Sequence, residues 1–278
     1  MSKVRNIIYL FVTGMVVVAC NKNDNSEPYQ PVPLPKIDRL EFISGNDSSI
    51  FIFDKNMVLT SGRNNTFNPK GYEWFTVKYA DMECQQLMGA EYIVANDPDG
   101  RMTEREVTYS RDKRNMLSRV TREEWASKSY SFSYDDQNRL TQLTLNEPNT
   151  LNRYTIVYDE KSNVSSIELY QKVSNTEGTV KHEFLDYDSN PNPFRFLVNV
   201  FYAPVFSSNN GTLFFNKMSS SLGLLLSKNN PGEVIRYAKN GDDWEKTASS
   251  KYSYESGWNN YPVHISGGGL SLEIKYIK

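Results

Sequence analysis

Apolar residues occupy every second position in several short segments of the chain, which is typical of β-strands that bury one face. Tyr130, Phe132 and Tyr134 alternate with serines, and a polar run follows them. Leu143 and Leu145 then resume the alternation. The pattern predicts a β-hairpin whose two strands turn their apolar side chains to the same side.

The same pattern returns 24 residues further along the chain, where Tyr158 and Asp159 correspond to Tyr134 and Asp135. Each aspartate begins the polar run, a place where a carboxylate accepts hydrogen bonds from nearby backbone amides. Weaker copies share a terminal aromatic residue, which is Phe53, Tyr79, Tyr109, Tyr187 or Tyr254. Asp188 follows its aromatic residue in the same way. We interpret these repeated tyrosines and aspartates as structural, because a recurring turn explains a recurring acid.

Successive hairpins of this kind pair edge to edge, so the sequence predicts a single all-β domain over residues 37–278. The predicted fold is an antiparallel meander curled into an open or closed barrel, because curvature or closure protects the edges of so many strands. The interval from Tyr187 to Tyr254 is 67 residues long and breaks the repeat. Within it, we predict a short helix or loop insertion near residues 213–226.

The first residues of the chain predict export from the cytoplasm. Lys3 and Arg5 precede an apolar run of 12 residues, 7–18. A membrane-spanning helix takes about 20 apolar residues, so this run is too short to span but suits a signal-peptide core. Val17-Val18-Ala19-Cys20 resembles a lipobox. That resemblance implies that residues 1–19 are removed and that Cys20 carries the lipid.

Residues 20–36 are polar and then rich in proline, the composition of a flexible and partly extended tether. Lys22-Asn23-Asp24 loosely resembles a surface-export signal of lipoproteins in anaerobic Gram-negative bacteria. We expect a lipoprotein anchored in the outer membrane, at the cell surface or on the periplasmic face. Its acyl chains would make the membrane its first partner.

Three short motifs carry a resemblance to known proteins. The aromatic-x-Tyr-Asp hairpin resembles the YD repeat of Rhs and teneurin shells. Together with the lipobox, Asn192-Pro193-Phe194 and Ser227-Lys228-Asn229-Asn230-Pro231 resemble a lipoprotein family of unknown function from gut-type anaerobes. The resemblance covers most of residues 37–278 and implies a porin-like fold. It implies no catalytic residue.

Charge and cysteine content narrow the possible partners. Removing residues 1–19, which hold Lys3 and Arg5, leaves 29 basic and 33 acidic residues and a net charge of −4. Binding of nucleic acid requires a basic surface that neutralises phosphates, so we expect no nucleic-acid partner. Beyond Cys20 the sequence has only Cys84, so the mature chain has no internal disulfide.

Candidate chemistry is sparse. His182 and His264 lie in strand-like patterns without the spacing of a metal site, and we expect no metal, cofactor or catalytic residue. Trp244 and Trp258 lie among Asp, Asn and Gly residues. Such aromatic groups suit stacking on a glycan or protein partner, but the commoner role of such residues is to cover the core at hairpin tips.

The sequence therefore favours a non-catalytic, lipid-anchored envelope protein with a binding or structural role. One alternative is a secreted hydrolase that uses two carboxylates. A small outer-membrane barrel is another alternative. It would require a lipid-facing apolar band, whereas the predicted strands carry charges, as in residues 101–119.

Overall fold

The computed structural model describes residues 36–44, 47–54, 59–65, 72–79, 87–95, 103–114, 116–122, 129–196, 218–257, 260–267 and 270–276. These residues form one 17-stranded sheet and a short α-helix. The first nine strands are β1 Ile37–Ser44, β2 Asp47–Phe53, β3 Leu59–Asn65, β4 Tyr72–Tyr79, β5 Leu87–Ala95, β6 Thr103–Arg111, β7 Leu117–Arg122, β8 Ser129–Tyr134 and β9 Leu140–Glu147. The others are β10 Thr150–Tyr158, β11 Val164–Val173, β12 Thr176–Leu185, β13 Glu233–Asn240, β14 Asp243–Lys251, β15 Ser253–Ser256, β16 Pro262–Gly267 and β17 Leu270–Tyr276.

The helix, α1, spans Met218–Leu226, and a 3₁₀ turn spans Pro193–Phe196. The predicted all-β antiparallel fold is confirmed, and the helix lies within the segment predicted to hold it. Residues 213–217 lie outside the described residues. No helix in the described part of the chain is long and apolar enough to cross a membrane.

The sheet is a meander in which strands pair with their neighbours in sequence. Antiparallel ladders join β1 to β2 and continue in order to β14, and another series joins β15 to β16 and β17. β17 then returns to pair with β1, with Tyr276 opposite Ile37. β14 and β15 follow one another on either side of Tyr252, and no described register pair joins them. The sheet is not closed into a barrel.

The meander gives the sheet two distinct ends. We call the end that holds the turns β8–β9, β10–β11 and β12–β13, together with Ile37, the turn end. The opposite end holds the short hairpins β9–β10, β11–β12 and β13–β14, and we call it the tip end. The chain enters the sheet at Ile37, which lies at the turn end.

The turn after β8 shows why the acid recurs. The Asp135 carboxylate accepts the amides of Gln137 and Arg139, both at 2.9 Å. The Asp135 amide donates back to the Arg139 carbonyl at 3.0 Å. Asn138 has a φ of 60°, the left-handed conformation that a short hairpin turn requires. The turn after β10 repeats this arrangement with Asp159 in the place of Asp135.

The repeated tyrosines link each hairpin to the one before it. Tyr134 donates its hydroxyl to the Leu117 carbonyl at 2.9 Å, and Tyr158 donates to the Leu140 carbonyl at 3.0 Å. Each acceptor is the first residue of the strand that follows the preceding turn. Tyr187 repeats the contact with Val164 at 2.7 Å. The tyrosine and the aspartate therefore recur together because one joins hairpins and the other closes a turn.

The broken period has a simple cause. Leu185 pairs directly with Glu233, so β12 and β13 are the two arms of one hairpin. Asp188 is the first residue of the turn, and its amide donates to the carbonyl of Asn230, 42 residues later. The Asp135 amide makes the same bond with Arg139, which is only four residues later. Residues 189–229 are thus inserted within a repeated turn, and we call them the insert. The sequence pattern did not predict this closure, because Ser189 to Phe194 resembles an ordinary turn.

The hydrophobic core lies towards the turn end. Inward side chains there are nearly inaccessible, and the largest are Phe51, Phe194, Ile37, Leu40, Leu140, Leu143 and Ile167. Helix α1 completes this cluster with Leu222 and Leu224–Leu226. Gly223 is needed in the helix, because a Cβ there would lie 2.0 Å from the Phe184 ring. Towards the tips the strands leave the core, and residues 171–178 are all exposed.

Candidate ligand-binding surface

Trp244 lies on β14 beside the tip of the β13–β14 hairpin and is half-buried. Its direct partner across the hairpin is Lys239. The chain turns through Gly241, whose φ of 62° suits the hairpin connection. Trp258, the second predicted aromatic group, and Cys20 lie outside the described residues. Only Trp244 of these three can therefore be placed.

The side chain of Trp244 lies on the outer face of the sheet. On β10 the exposed residues Arg153 and Thr155 alternate with buried Tyr154 and Ile156, so the former mark the outer face. Cross-strand pairing carries this face from Thr155 through Glu168, Lys181 and Tyr237 to Lys246. Trp244 lies two residues from Lys246 on the same strand and so shares its face.

Two aromatic rings and two lysines meet on this outer face. The Lys181 ammonium lies 4.9 Å from the ring centroids of both Tyr237 and Trp244. Lys239 lies 5.9 Å from the Trp244 ring. We call the group formed by Lys181, Tyr237, Lys239 and Trp244 the Trp244 surface. Cation–π attraction holds its cations next to the rings, where they remain in contact with solvent.

One acid is part of this arrangement. The Glu183 carboxylate forms an ion pair with the Lys181 ammonium at 2.7 Å. Desolvation raises the pKa of the Tyr237 phenol, and a hydrogen bond with Glu183 raises that pKa further. Tyr237 therefore stays neutral at physiological pH. The surface offers flat apolar rings flanked by fixed donors, the combination that binding sites use to stack and orient a ligand.

The repeat residues lie elsewhere and have other duties. Tyr134, Asp135, Tyr158 and Asp159 all lie at the turn end, away from the Trp244 surface. Burial alone would raise the pKa of the Asp135 carboxyl, but the Arg139 amide and guanidinium and the Gln137 amide lower it overall. Its hydrogen-bond partners are backbone amides and the Arg139 guanidinium, all within its own turn, so Asp135 closes the turn.

Tyr187 and Asp188 anchor the insert through a buried polar network that the sequence pattern did not predict. The Tyr187 hydroxyl lies 2.9 Å from the Ser227 hydroxyl, which donates to the Gly223 carbonyl at 2.7 Å. The Asp188 carboxylate accepts the Asn230 side-chain amide at 3.0 Å. These contacts fix the end of helix α1 against the turn that it interrupts.

The network also explains the two short motifs of the insert. Asn192 donates its side-chain amide to the Leu224 carbonyl and accepts the Phe194 amide at 2.9 Å. The Asn229 amide donates to the side chain of Asn163 at 2.8 Å. The motifs' buried polar members, Asn192, Ser227 and Asn230, are at most 2% exposed. Buried polar side chains stabilise a structure when they are hydrogen-bonded, and each of these three makes at least one such bond. The two motifs therefore have a structural role.

The two histidines lie on different strands. His182 lies on β12, and burial followed by repulsion from Arg236 lowers its pKa to about 4. His264 lies on β16 with its ring nitrogens near Glu255 and Ser271. Within the described ranges, no three His, Cys, Asp or Glu side chains come close enough to hold a metal ion.

A shallow polar cleft of about 350 Å³ lies between the tips of the β9–β10 and β11–β12 hairpins. Its lining consists of amide, hydroxyl and charged side chains with one leucine, namely Asn146, Glu147, Asn149, Thr150, Leu151, Lys172, Ser174 and Asn175. It lacks an aromatic ring on which a ligand could stack. The Trp244 surface is therefore the stronger candidate.

Comparison with known proteins identifies similar folds. A crystal structure of a porin-like protein from Bacteroides uniformis matches with a TM-score of 0.50 and 13% identity, over 88% of this chain and 98% of that one. A porin-like protein from Bacteroides vulgatus matches with a TM-score of 0.37 and 10% identity, over 87% of this chain and 99% of that one. The Tc holotoxin pore of Photorhabdus luminescens matches with a TM-score of 0.31 and 10% identity, over 79% of this chain and 12% of that one.

No protein-family model and no curated protein matches the sequence. At 13% identity, the match to the Bacteroides uniformis protein shows the fold alone. The porin-like fold implied by the sequence motifs is confirmed.

Proposed function

We propose that the protein is a non-catalytic, lipid-anchored protein of the outer membrane that binds a glycan or protein partner through the Trp244 surface. The observation that carries this proposal is the position of Trp244. It lies on the outer face of the sheet, with Tyr237 and two lysines around it, where no core requires an aromatic side chain. The porin-like fold is compatible with a place in the envelope.

The geometry of the recurring acids supports the non-catalytic role. Asp135 and Asp159 accept hydrogen bonds from the backbone of their own turns, and Asp188 accepts them from Asn230. A glycosidase would need two carboxyl groups facing one another across a cleft. The oxygens of these carboxylates instead accept hydrogen bonds from backbone amides, side-chain amides and the Arg139 guanidinium.

The outer face of the sheet also bears on the alternative of a small membrane barrel. Arg153, Glu168 and Lys181 lie on the outer face of three successive strands. A charged side chain on the lipid face of a barrel costs about 2–4 kcal/mol at the bilayer midplane. These strands are therefore better suited to water, and an acyl anchor on Cys20 would supply the membrane attachment.

Anchoring is tested by labelling cells with a palmitate analogue and separating membranes from soluble fractions. We expect the full-length protein to carry the label and to sediment with the outer membrane. Cys20→Ser should lose both properties, whereas Cys84→Ser should retain both. Label on the Cys20→Ser variant would contradict the proposed anchor.

Binding is tested with full-length protein in detergent on immobilised glycans and envelope proteins. We expect at least one class to retain the wild type and to lose Trp244→Ala, with Lys161→Gln, an exposed change at the turn end, as the control. Retention of both variants alike would refute a binding role for the Trp244 surface. Proteinase K added to intact cells then shows on which side of the outer membrane that surface lies.

A further inference from the structure

The strand that carries Trp244 separates its charges between the two faces of the sheet. In the sequence, acids flank Trp244 on both sides as Asp243 and Glu245. Alternation along β14 puts these two acids on the face opposite to Trp244, while Lys246 shares the outer face. The acids that are its sequence neighbours are therefore not its neighbours on the surface.

The charged side chains nearest the Trp244 ring on the outer face are lysines. Lys181, Lys239 and Lys246 lie there, and two acids of the same face, Glu183 and Glu168, lie beside Lys181 as its ion-pair partner and its cross-strand neighbour. The positive charge available beside Trp244 is therefore that of Lys239 and Lys246. The complete sequence, in contrast, has a net charge of −2. Positive charge placed beside the rings of an acidic protein attracts anionic ligands to that place.

Resting on the proposed binding function, we infer that the Trp244 surface binds an acidic glycan, one that carries carboxylate or sulfate groups on its sugars. Sugar rings stack on the faces of Trp244 and Tyr237, because those faces are flat and partly exposed. The anionic groups pair with Lys239 and Lys246, which are exposed, while Lys181 stays paired with Glu183. The lysines favour anionic ligands by their charge, and the aromatic rings favour sugars over polyanions that have no ring to stack.

The position of the surface fits a ligand outside the membrane. Ile37 enters the sheet at the turn end, and Trp244 lies opposite Lys239 near the tips. From Glu233 to Lys239 the strand rises about 20 Å, at about 3.3 Å per residue. The turn end therefore joins the tether of residues 20–36, and the Trp244 surface lies towards the other end of the sheet.

The test uses full-length protein in detergent micelles and titration calorimetry with four probes. These are oligogalacturonate, a sulfated heparin oligosaccharide, a neutral galactan oligosaccharide of matched length and polyglutamate. We expect binding to one or both acidic oligosaccharides, weakening as salt rises. Trp244→Ala should weaken it about tenfold or more, equivalent to about 1.4 kcal/mol. Lys239→Gln combined with Lys246→Gln should weaken it several-fold.

Lys161→Gln, an exposed change at the turn end, is the matched control and should bind as the wild type does. Equal affinity for the neutral oligosaccharide or for polyglutamate would overturn the inference, as would no binding to either acidic oligosaccharide. Thermal unfolding of each variant shows whether it is folded. If Trp244→Ala does not fold, Trp244→Phe, which keeps an aromatic ring, takes its place. Neutral-glycan or protein binding that depends on Trp244 would retain the proposed function and reject only the acidic class.

Discussion

The hydroxyl of Tyr158 supports the repeat by a single hydrogen bond. It donates to the Leu140 carbonyl at 3.0 Å, and burial raises the pKa of this phenol far above its usual range. Tyr158→Phe keeps the ring and its contact with the Arg139 guanidinium, 4.6 Å away, but leaves the carbonyl without this donor. We expect the variant to lose about 1–2 kcal/mol of unfolding free energy in urea denaturation.

Tyr170→Phe is the matched control for this change. The Tyr170 hydroxyl donates to Glu177 at 2.7 Å on the exposed tip half of the sheet, where water can replace it. Its loss should cost less than about 0.5 kcal/mol. Equal effects of the two substitutions would show that the tyrosine link between hairpins contributes nothing beyond an ordinary surface contact.

His182 gives the fold a dependence on acid. Its ring lies across from Arg236, its Nδ1 has no hydrogen-bond partner in the described part of the chain, and burial lowers its pKa to about 4. Histidine in an unfolded chain has a pKa near 6.5. Between about pH 6.5 and about pH 4, His182 is therefore protonated in the unfolded state and neutral in the folded state. Stability is therefore lost as the pH falls from about 6.5 to about 4, by up to about 3 kcal/mol.

The measurement is the free energy of unfolding at several pH values, for the wild type and His182→Leu. The variant should show a shallower decline between pH 6.5 and 4, because it has no proton to take up at this position. His264→Asn should retain the wild-type decline due to His182. A His182→Leu protein that declines as steeply as the wild type would disprove this role.

The hairpin β12–β13 contains an ordinary repeated turn that the insert interrupts, and this can be tested by removing the insert. Replacing residues 189–229 with Glu-Lys-Ser would place Asn230 four positions after Asp188, as Asn163 follows Asp159. We expect the strands to remain paired, because Asp188 and Asn230 already have the required hydrogen bonds. Loss of Leu222 and its helix neighbours should uncover Phe184 and the core beneath it.

Far-ultraviolet circular dichroism should therefore keep its β signal, while binding of a hydrophobic dye increases and stability falls. The same replacement with Asp188→Ala lacks the carboxylate that closes the turn and should lose the β signal as well. If the shortened protein with Asp188 intact is unfolded, the insert is required for the hairpin itself, and the repeat does not extend through it.

The same element shows how far the sequence predicts the fold. Strands β8 to β11 follow from alternation, because one face of each is buried in the core. The closure of Asp188 by Asn230 does not follow, since a turn pattern identifies a partner only a few residues away. Polar strands such as β3, which reads Leu-Thr-Ser-Gly-Arg-Asn-Asn, likewise have no alternation to detect and depend on pairing with their neighbours.

The candidate site was only partly predictable for a similar reason. Composition identified Trp244 as an aromatic residue in polar surroundings, but the polar residues next to it in sequence are acids. The lysines that surround it in space come from β12 and β13, and only the register of those strands brings them there. The residues next to Trp244 in the sequence are therefore different from the residues next to it on the surface.

At the scale of the whole molecule, the position of Ile37 predicts an orientation on the membrane. A fluorophore at Lys161→Cys marks the turn end and one at Asp242→Cys marks the β13–β14 tip, each with Cys84→Ser to remove the other thiol. Both positions are exposed.

On vesicles carrying the acylated protein, energy transfer to an acceptor in the lipid headgroups should be stronger from position 161. The reason is that the turn end is where the tether joins the sheet. Equal transfer would mean that the tether lets the sheet lie flat, and stronger transfer from position 242 would place the Trp244 surface against the bilayer. The second result would remove the Trp244 surface from the solvent that an extracellular glycan occupies.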